Sequence, residues 1–507
     1  MSQRVNQRST ESLRSWSIPA LWAVIVTVGL STAFRTISWA FVDLYNHLYV
    51  ATTRTWPETL VDAFARGVEY RPLMTILFKL SHQLVGLRLW AYQLLVILQF
   101  AAILGLLIWL FKPDTPRRAA AACVAICCVA GLHTSRVLFM FAPLNIHSMG
   151  VVLLLGAAAF AVACAEQPRL RSLEWLLLPW TFVALLLLES GALVVCVVAA
   201  VLLAARGSGA LSERVGLTYR SVAASGIALV VYVAIRFAFG SQAGPVATYA
   251  ETGLGFSDVP ADRLAVIFGE APWLLWLYNV AASFLTVVAS EPRAGRFTLT
   301  ETLLHGNTPA WMWFHFATSV VTTIAVACAL IAFRPFTGRD RFLVAVGLTL
   351  VVAGSGLGFL YTRERIALSA GVGYAMLVFV AASALLSSFQ SWRRSVAAAL
   401  VSVMGVMWTV RTAEAWFQLR DTAWESHLEW TERYESLAGD RTQTDLLVML
   451  REGALARTPA DPRQDPAWTY VLFERQYPRA SVPGSRFQLP GSEAQVPGST
   501  IQVPGSP

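Results

Sequence analysis

Residues 89–111 read LWAYQLLVILQFAAILGLLIWLF, a stretch that no charged side chain interrupts. As an α-helix it would rise about 1.5 Å per residue, enough to cross a bilayer hydrocarbon core of about 30 Å. Comparable apolar stretches recur along most of the chain, which is 56% hydrophobic and only 14% charged. The sequence therefore predicts an all-α polytopic membrane protein.

The distribution of arginine predicts how these stretches are oriented. If the N-terminus is inside, every short inside loop carries at least two positive charges, as the positive-inside rule requires. Two further stretches, 71–86 and 264–290, are ambiguous, and if both crossed, three of the positive loops would face outward. We therefore expect about 11 transmembrane helices (11–13), a cytoplasmic N-terminus and an extracytoplasmic C-terminus. The predicted spans are 18–36, 89–111, 118–133, 145–165, 173–188, 191–205, 220–240, 310–333, 341–360, 366–388 and 395–412.

The polar segments divide the rest of the chain. The end of the sequence repeats a Pro-Gly-Ser heptad, which specifies turns and contains nothing that could form a core, so we expect disorder there. The predicted regions are 1–17 (cytoplasmic N-terminus), 18–412 (transmembrane domain), 37–70 (first extracytoplasmic loop), 241–309 (second large extracytoplasmic region), 413–480 (small extracytoplasmic helical region) and 481–507 (disordered tail).

Cysteine and basic residues exclude several classes of function. The six cysteines all fall in apolar stretches, where a thiol behaves as a small hydrophobic group. No spacing is typical of a metal site, so we expect no cofactor, with a divalent metal ion as an open alternative. No basic run interleaved with aromatic residues is present, and nucleic-acid binding is not expected.

Polar and ionisable side chains gather at the predicted outer ends of the spans. After the first span, residues 41–50 read FVDLYNHLYV, in which Asp43, Asn46 and His47 would share one helix face by their spacing. Ionisable residues around one membrane cavity indicate a functional site. The other residues on this predicted face are Glu69, Arg71, His133, Arg136, Asn145, His147, Glu189, Arg363, Glu364 and Arg365.

Four motifs, in order along the chain, resemble segments of the GT-C membrane glycosyltransferases. The similarity is closest to the branch of protein O-mannosyltransferases and their transmembrane-and-TPR relatives. FVDLYNHL at 41–48, followed by YRPL at 70–73, is similar to the start of those proteins. GLHTSRVLFM at 131–140, RERIALSAGVGYAML at 363–377 and RDTAWESHLEW at 420–430 are similar to later segments.

The resemblance implies transfer of a sugar from a polyprenyl-phosphate donor to an acceptor hydroxyl at the extracytoplasmic face. It implies that Asp43 is the catalytic base or orients the acceptor. Arginine has a planar, permanently charged fork that suits phosphate oxygens, so Arg365 and Arg363 would bind the donor phosphate, with Arg71 assisting. The candidates for binding sugar or acceptor hydroxyls are His47, Asn46, His133, Asn145 and Glu189.

The expected partners are the lipid-linked donor, an acceptor protein, glycolipid or polysaccharide, and the lipid bilayer. The chain uses arginine for nearly all its positive charge, which together with alanine-rich helices is typical of a bacterium of high genomic GC content. We therefore expect a multi-pass protein of a bacterial inner (plasma) membrane.

Departures from the family pattern keep other functions open. Asp43 stands alone where many relatives carry two carboxylates, Thr134 and Ala370 replace prolines, and no TPR part follows. The alternatives are a lipid-linked glycan flippase or other transporter, an O-antigen ligase or polymerase type of enzyme, and an inactive GT-C-like scaffold of an envelope assembly complex. The absence of an internal repeat and the charges at span ends favour the enzyme over a transporter.

Overall fold

The structure, a computed structural model of the chain, describes residues 2–33, 51, 54–65, 71–86, 89–135, 146–206, 219–239, 266–269, 272–291, 298–333, 336, 338–359, 364–388 and 392–429. Every regular element among them is a helix. Short 3-10 helices at Pro168–Leu176 and Glu189–Ala192 directly precede α7 and α8. The α-helices are α1 (Ser2–Ala33), α2 (Trp56–Ala65), α3 (Pro72–Val85), α4 (Leu89–Phe111), α5 (Pro116–Gly131), α6 (Ile146–Glu166), α7 (Leu177–Leu187), α8 (Leu193–Arg206), α9 (Tyr219–Phe239), α10 (Trp273–Val288), α11 (Thr298–Leu304), α12 (Ala310–Ala332), α13 (Gly338–Gly356), α14 (Leu368–Ser388) and α15 (Trp392–Glu429).

Eight helical stretches in the described part of the chain are long and apolar enough to cross a membrane. This confirms the prediction of an all-helical, multi-pass membrane protein. Three further predicted spans, at α5, α8 and α13, are helical as expected, and much of each is buried in the core. The eight stretches are Ser15–Ala33, Trp90–Phe111, Ile146–Glu166, Pro168–Leu187, Tyr219–Ala238, Ala310–Ala332, Leu368–Ser387 and Trp392–Asp421.

The two ambiguous stretches form short helices. α3 has 14 residues and α10 has 16, so each is shorter than the roughly 20 residues that a spanning helix needs, as are α5 with 16 and α8 with 14. In α3, Lys79 is buried, and its ammonium group donates hydrogen bonds to the carbonyl oxygens of Ala51 and Arg54. These two carbonyl groups lie just before α2 in the chain, so the Lys79 side chain links α3 to the segment that precedes α2.

α14 forms the centre of the bundle. Its apolar window is 89% buried, and the helix packs against α5, α12, α13 and α15. The contact with α13 depends on two glycines: a Cβ on Gly373 would lie 2.5 Å from Cβ of Leu350, and one on Gly347 would lie 2.8 Å from a methyl carbon of Leu377. Small residues at a helix crossing let two backbones approach closely, which is the usual basis of helix association in lipid.

One end of the bundle, which we call the Arg118 end, is joined by ion pairs. Thr115 caps α5 by accepting a hydrogen bond from the Arg118 backbone, and Pro116 occupies the first helical position, where its fixed φ is favourable. The Arg118 side chain then reaches Asp340 of α13 at 2.8 Å. Beside it, Arg339 pairs with Glu166 at the end of α6. These contacts bring together residues from three of the loops that the arginine distribution assigns to the inside.

α15 is longer than the span predicted for this part of the chain. It contains 38 residues and passes position 412 without a break, so the predicted span 395–412 and the start of the predicted region 413–480 belong to one helix. Residues 430–507, which include the heptad tail, lie outside the described residues.

Candidate functional site

Three elements meet through one carboxylate at the other end of the bundle. Arg71 immediately precedes α3, whose first residue is a proline, and its Nε donates a hydrogen bond of 3.0 Å to Oε2 of Glu189. Glu189 begins the short 3-10 helix between α7 and α8. Its second oxygen, Oε1, lies 3.6 Å from Nη1 of Arg236, in the last turn of α9. Glu189 thus bridges two guanidinium groups.

A histidine and a further arginine complete this group, which we call the Arg365 cluster: Arg71, His147, Glu189, Arg236 and Arg365. His147 lies in the first turn of α6, and the guanidinium groups of Arg365 and Arg71 both act electrostatically on its imidazole. Since α6 begins at this cluster and its 21 residues end at Glu166, the two ends of the bundle are about 30 Å apart.

The charge of the Arg365 cluster is unbalanced. Among the described residues, Glu189 is the carboxylate of this group and pairs with Arg71 and Arg236, while Glu364 forms no ion pair with any of the described residues although it neighbours Arg365 in sequence. A site with excess guanidinium suits an anionic group with several oxygens, because arginine can offer two parallel N–H donors to a carboxylate or phosphate. The arrangement could therefore hold a phosphate.

The structure brings together three of the site residues that the sequence predicts, namely Arg71, Glu189 and Arg365. His147, which belongs to the predicted outer face, joins them. His133 is described, and it contacts a different group of side chains. The predicted base and several predicted ligands lie outside the described residues: Asp43, Asn46, His47, Asn145 and Arg363, together with Glu69 and Arg136.

His133 belongs to a row of titratable side chains from three elements. Its Nε2 lies 3.3 Å from Nδ1 of His315 in α12, and Nε2 of His315 contacts Oε2 of Glu414 in α15. The amide of Gln418 donates a 2.9 Å hydrogen bond to Oε1 of the same carboxylate. The ring of Trp311 packs edge-on against His315. We call these residues the His133–His315–Glu414 row.

Arg411 lies one turn before Glu414 on α15 and is only 1% exposed. Its Nη1 donates hydrogen bonds to Ser290 Oγ at 2.7 Å and Ser319 Oγ at 2.9 Å, and its Cζ lies 4.5 Å from the centre of the Trp408 ring. Its Nε and Nη2 atoms make no hydrogen bond in the described part of the chain. A buried cation inside a helical membrane bundle is costly and is a sign of a functional site.

Sequence reasoning missed Arg236, His315, Arg411 and Glu414. Arg236 and Arg411 fall near the ends of predicted spans, and His315 falls inside one, so each was counted as part of an apolar stretch. The signal that could have identified them is the presence of an ionisable side chain within a span. Glu414 was assigned to a separate helical region and so was not connected with the spans.

The described residues contain no group of three or more histidine, cysteine, aspartate or glutamate side chains placed to hold a metal ion. Comparison of the chain with known protein families, with curated proteins and with solved structures found no match.

Proposed function

We propose that this chain is a membrane glycosyltransferase, which moves a sugar from a polyprenyl-phosphate-linked donor to an acceptor hydroxyl at the extracytoplasmic face. The observation that carries the proposal is that Glu189 bridges Arg71 and Arg236 at one end of a helical bundle, where Arg365 and Arg71 also both act electrostatically on the His147 imidazole. The resemblance to GT-C enzymes supplies the reaction class, and the cluster supplies a site for the phosphate of the donor.

The chemistry of the donor matches the charge of this site. When the sugar leaves a lipid phosphate, negative charge develops on the phosphate oxygens, and donors already in position stabilise that charge without reorganising. Arg365 would contact the phosphate, while Glu189 holds Arg71 and Arg236 at a fixed separation. The acceptor hydroxyl needs a base, and Asp43 is the residue that we propose for this role.

We further propose 11 crossings, with the N-terminus in the cytoplasm and the C-terminus outside, in a bacterial inner membrane. Two findings support this arrangement. The ion pairs Arg118–Asp340 and Arg339–Glu166 join loops that are rich in arginine, as inside loops are expected to be. The Arg365 cluster lies at the opposite end, where this topology places the active site.

The proposal is tested by replacing Arg365. In cells that lack the gene, Arg365→Ala should fail to restore the sugar on envelope glycans, with transfer reduced about a hundredfold or more, because a donor to the developing charge is lost. Mass spectrometry of the glycans, at matched protein levels, measures the effect. Arg394→Ala is the control, since Arg394 is an exposed arginine at the start of α15. Full restoration by Arg365→Ala would contradict an enzymatic role and favour a scaffold.

Transport of a lipid-linked glycan is a second candidate, and Arg411 is the observation that favours it. Ionisable groups enclosed within a membrane bundle often mark substrate or ion pathways. A transporter defect would leave the lipid-linked glycan complete but confined to the inner leaflet, whereas a transferase defect would leave it complete and accessible outside. Comparing the two leaflets in cells without the gene therefore separates these functions.

A further inference from the structure

We infer that Arg411 binds a phosphate group inside the bundle, through the Nε–H and Nη2–H bonds on the lateral edge of its guanidinium group. Arg411 lies on α15 and is only 1% exposed. Both nitrogens of this edge are buried, and neither has a hydrogen-bond partner in the described part of the chain. The site is separate from the Arg365 cluster, and the inference does not depend on the proposed function.

The rest of the Arg411 side chain is held in place, so its lateral edge has a fixed direction. Nη1 donates hydrogen bonds to Ser290 Oγ and Ser319 Oγ, and the Trp408 ring lies against one face of the guanidinium group. On α5, a Cβ at Gly131 would lie 3.0 Å from Cβ of Arg411, so the two helices are in close contact at the base of this side chain. A donor pair that is already positioned loses little conformational freedom when a ligand binds.

The lateral edge matches a phosphate group in geometry and in charge. Nε–H and one N–H of Nη2 point in parallel from the planar guanidinium group, and two oxygens of one anionic group can accept both bonds together. Arginine keeps its positive charge in proteins, so this edge attracts an anion and not only a neutral acceptor.

The carboxylate nearest in sequence does not occupy the edge. Glu414, one turn along α15, acts electrostatically on Arg411, but its two oxygens contact His315 and Gln418 instead. Arg411 therefore has no ion-pair partner among the residues that the structure describes. Phosphate groups are the oxyanions that a lipid bilayer supplies in abundance, and basic sites between membrane helices can bind them.

A strip of polar side chains leads from one end of the bundle to Arg411. It lies on the buried face of α10 and just beyond its last residue, and its members are Asn279, Ser283, Thr286 and Ser290, each at most 2% exposed. At one end of the strip, Nδ2 of Asn279 donates a 3.0 Å hydrogen bond to the carbonyl oxygen of Phe359, shortly after α13 ends. At the other end, Ser290 contacts Arg411.

This strip gives a phosphate a polar approach to Arg411. Because α13 begins at the Arg118 end, its last turn and Asn279 lie toward the opposite end of the bundle. Along the way, Oδ1 of Asn279 and Nε1 of Trp276 are buried with no hydrogen-bond partner among the described residues. A phosphate that enters where α13 ends meets these polar groups before Arg411, and so avoids the high cost of crossing an apolar layer.

The first test detects the phosphate directly in the full chain, purified free of native lipid. The dipeptide Val-Arg occurs once in the sequence, at Val410 and Arg411, so valine labelled with ¹³C at the carbonyl and arginine labelled with ¹³C and ¹⁵N select the Arg411 signals without any substitution. In solid-state NMR, ³¹P dephases a ¹⁵N signal only when the two nuclei are close. We expect strong dephasing at Nε and Nη2 of Arg411 in phosphatidylglycerol bilayers, or in phosphorus-free galactolipid bilayers with inorganic phosphate added.

The two samples identify the source of the phosphate. Dephasing in the phosphatidylglycerol sample alone assigns the site to a lipid headgroup, and dephasing in the galactolipid sample shows that free phosphate binds. Arg365→Ala should leave the Arg411 dephasing unchanged, because the two sites are separate. Absence of dephasing in both samples overturns the inference, and so does its loss in Arg365→Ala.

The second test separates the pair of donors from the charge alone. Arg411→Lys keeps a positive charge but loses the parallel N–H pair, and Arg411→Met loses both. With the probe that gives dephasing, each variant should bind one phosphate fewer per chain, because the affinity of this site falls about tenfold or more. Arg394→Lys is the matched control and should bind phosphate as the unsubstituted chain does, since Arg394 is exposed at the start of α15.

Retention of the phosphate in Arg411→Lys would contradict binding through the lateral edge. Because the first test reads Arg411 in the unsubstituted chain, a variant that fails to fold does not leave the question undecided.

Discussion

Arg411 carries a charge that the interior of the bundle only partly compensates. Nη1 has two hydroxyl partners and the Trp408 ring covers one face, yet the Nε and Nη2 edge has no acceptor in the described part of the chain. Each buried donor of a charged group that has no acceptor lowers the free energy of unfolding by about 1–3 kcal/mol or more. A charge buried at such a cost inside a membrane bundle indicates a functional role.

Arg411→Met tests this conclusion. Methionine has a similar length and no charge, and Ser290 and Ser319 already contact each other, so their hydroxyls keep a partner. We expect the thermal midpoint of unfolding in detergent to stay the same or rise, because replacing a buried charge by an apolar group is often neutral or stabilising. The same variant should lose function in the glycan assay. A fall in Tm of more than about 5 °C, equivalent to at least about 1 kcal/mol, would show that Arg411 is mainly structural.

The residues of the site could be predicted from the sequence only where their position at a predicted helix end was enough to identify them. Arg71, Glu189 and Arg365 were found because each lies at a predicted outer helix end. The bridge from Glu189 to both Arg71 and Arg236 could not be found, because it depends on which helices are neighbours and which faces they present. His315 was missed for the same reason: sequence gives its depth along α12 and not its contact with α15.

At the scale of elements, the helices follow the apolar stretches closely. α4 has the predicted bounds, and α6, α9 and α12 each begin and end within a residue of prediction. These helices are apolar over most of their length, and such segments have little alternative in a bilayer because every backbone group must be bonded internally. The continuity of α15 was not predicted, since the polar residues after position 412 suggested an end, although nothing in that stretch breaks a helix.

The close crossing of α13 and α14 predicts that replacing two glycines by alanine will have very different effects on stability. Gly373→Ala should lower stability by about 1–3 kcal/mol, because the added methyl group overlaps Leu350 and forces the helices apart. Gly105→Ala in α4 is the matched control: its Cβ would meet nothing within 4 Å, and alanine is the better helix former. Thermal unfolding of both variants gives the comparison. Equal midpoints would mean that the close approach of α13 and α14 contributes nothing.

At the scale of the whole molecule, charge is separated between two ends about 30 Å apart. The Arg118 end is closed by paired charges, in which Arg118 and Arg339 each have a carboxylate partner. The Arg365 cluster instead has more guanidinium than carboxylate. In the described part of the chain, that excess of guanidinium groups would suit an anion.

Cysteine labelling tests the proposed membrane topology. In intact cells, a membrane-impermeant maleimide should label His305→Cys, ahead of α12, but should label Arg117→Cys only after lysis. Both positions are exposed, and the proposed topology puts them on opposite sides. The unsubstituted chain measures the background from its native thiols, of which Cys196 and Cys328 are exposed. Labelling of both positions from the same side would refute the proposed topology.

The unbroken course of α15 has a mechanical consequence. Its 38 residues extend about 57 Å, so close to half of the helix projects beyond a hydrocarbon core of about 30 Å. No loop or hinge separates the projecting turns from Arg411 and Glu414. Because the helix is continuous, a rotation applied at its C-terminal end would also turn Arg411 and Glu414 relative to α12.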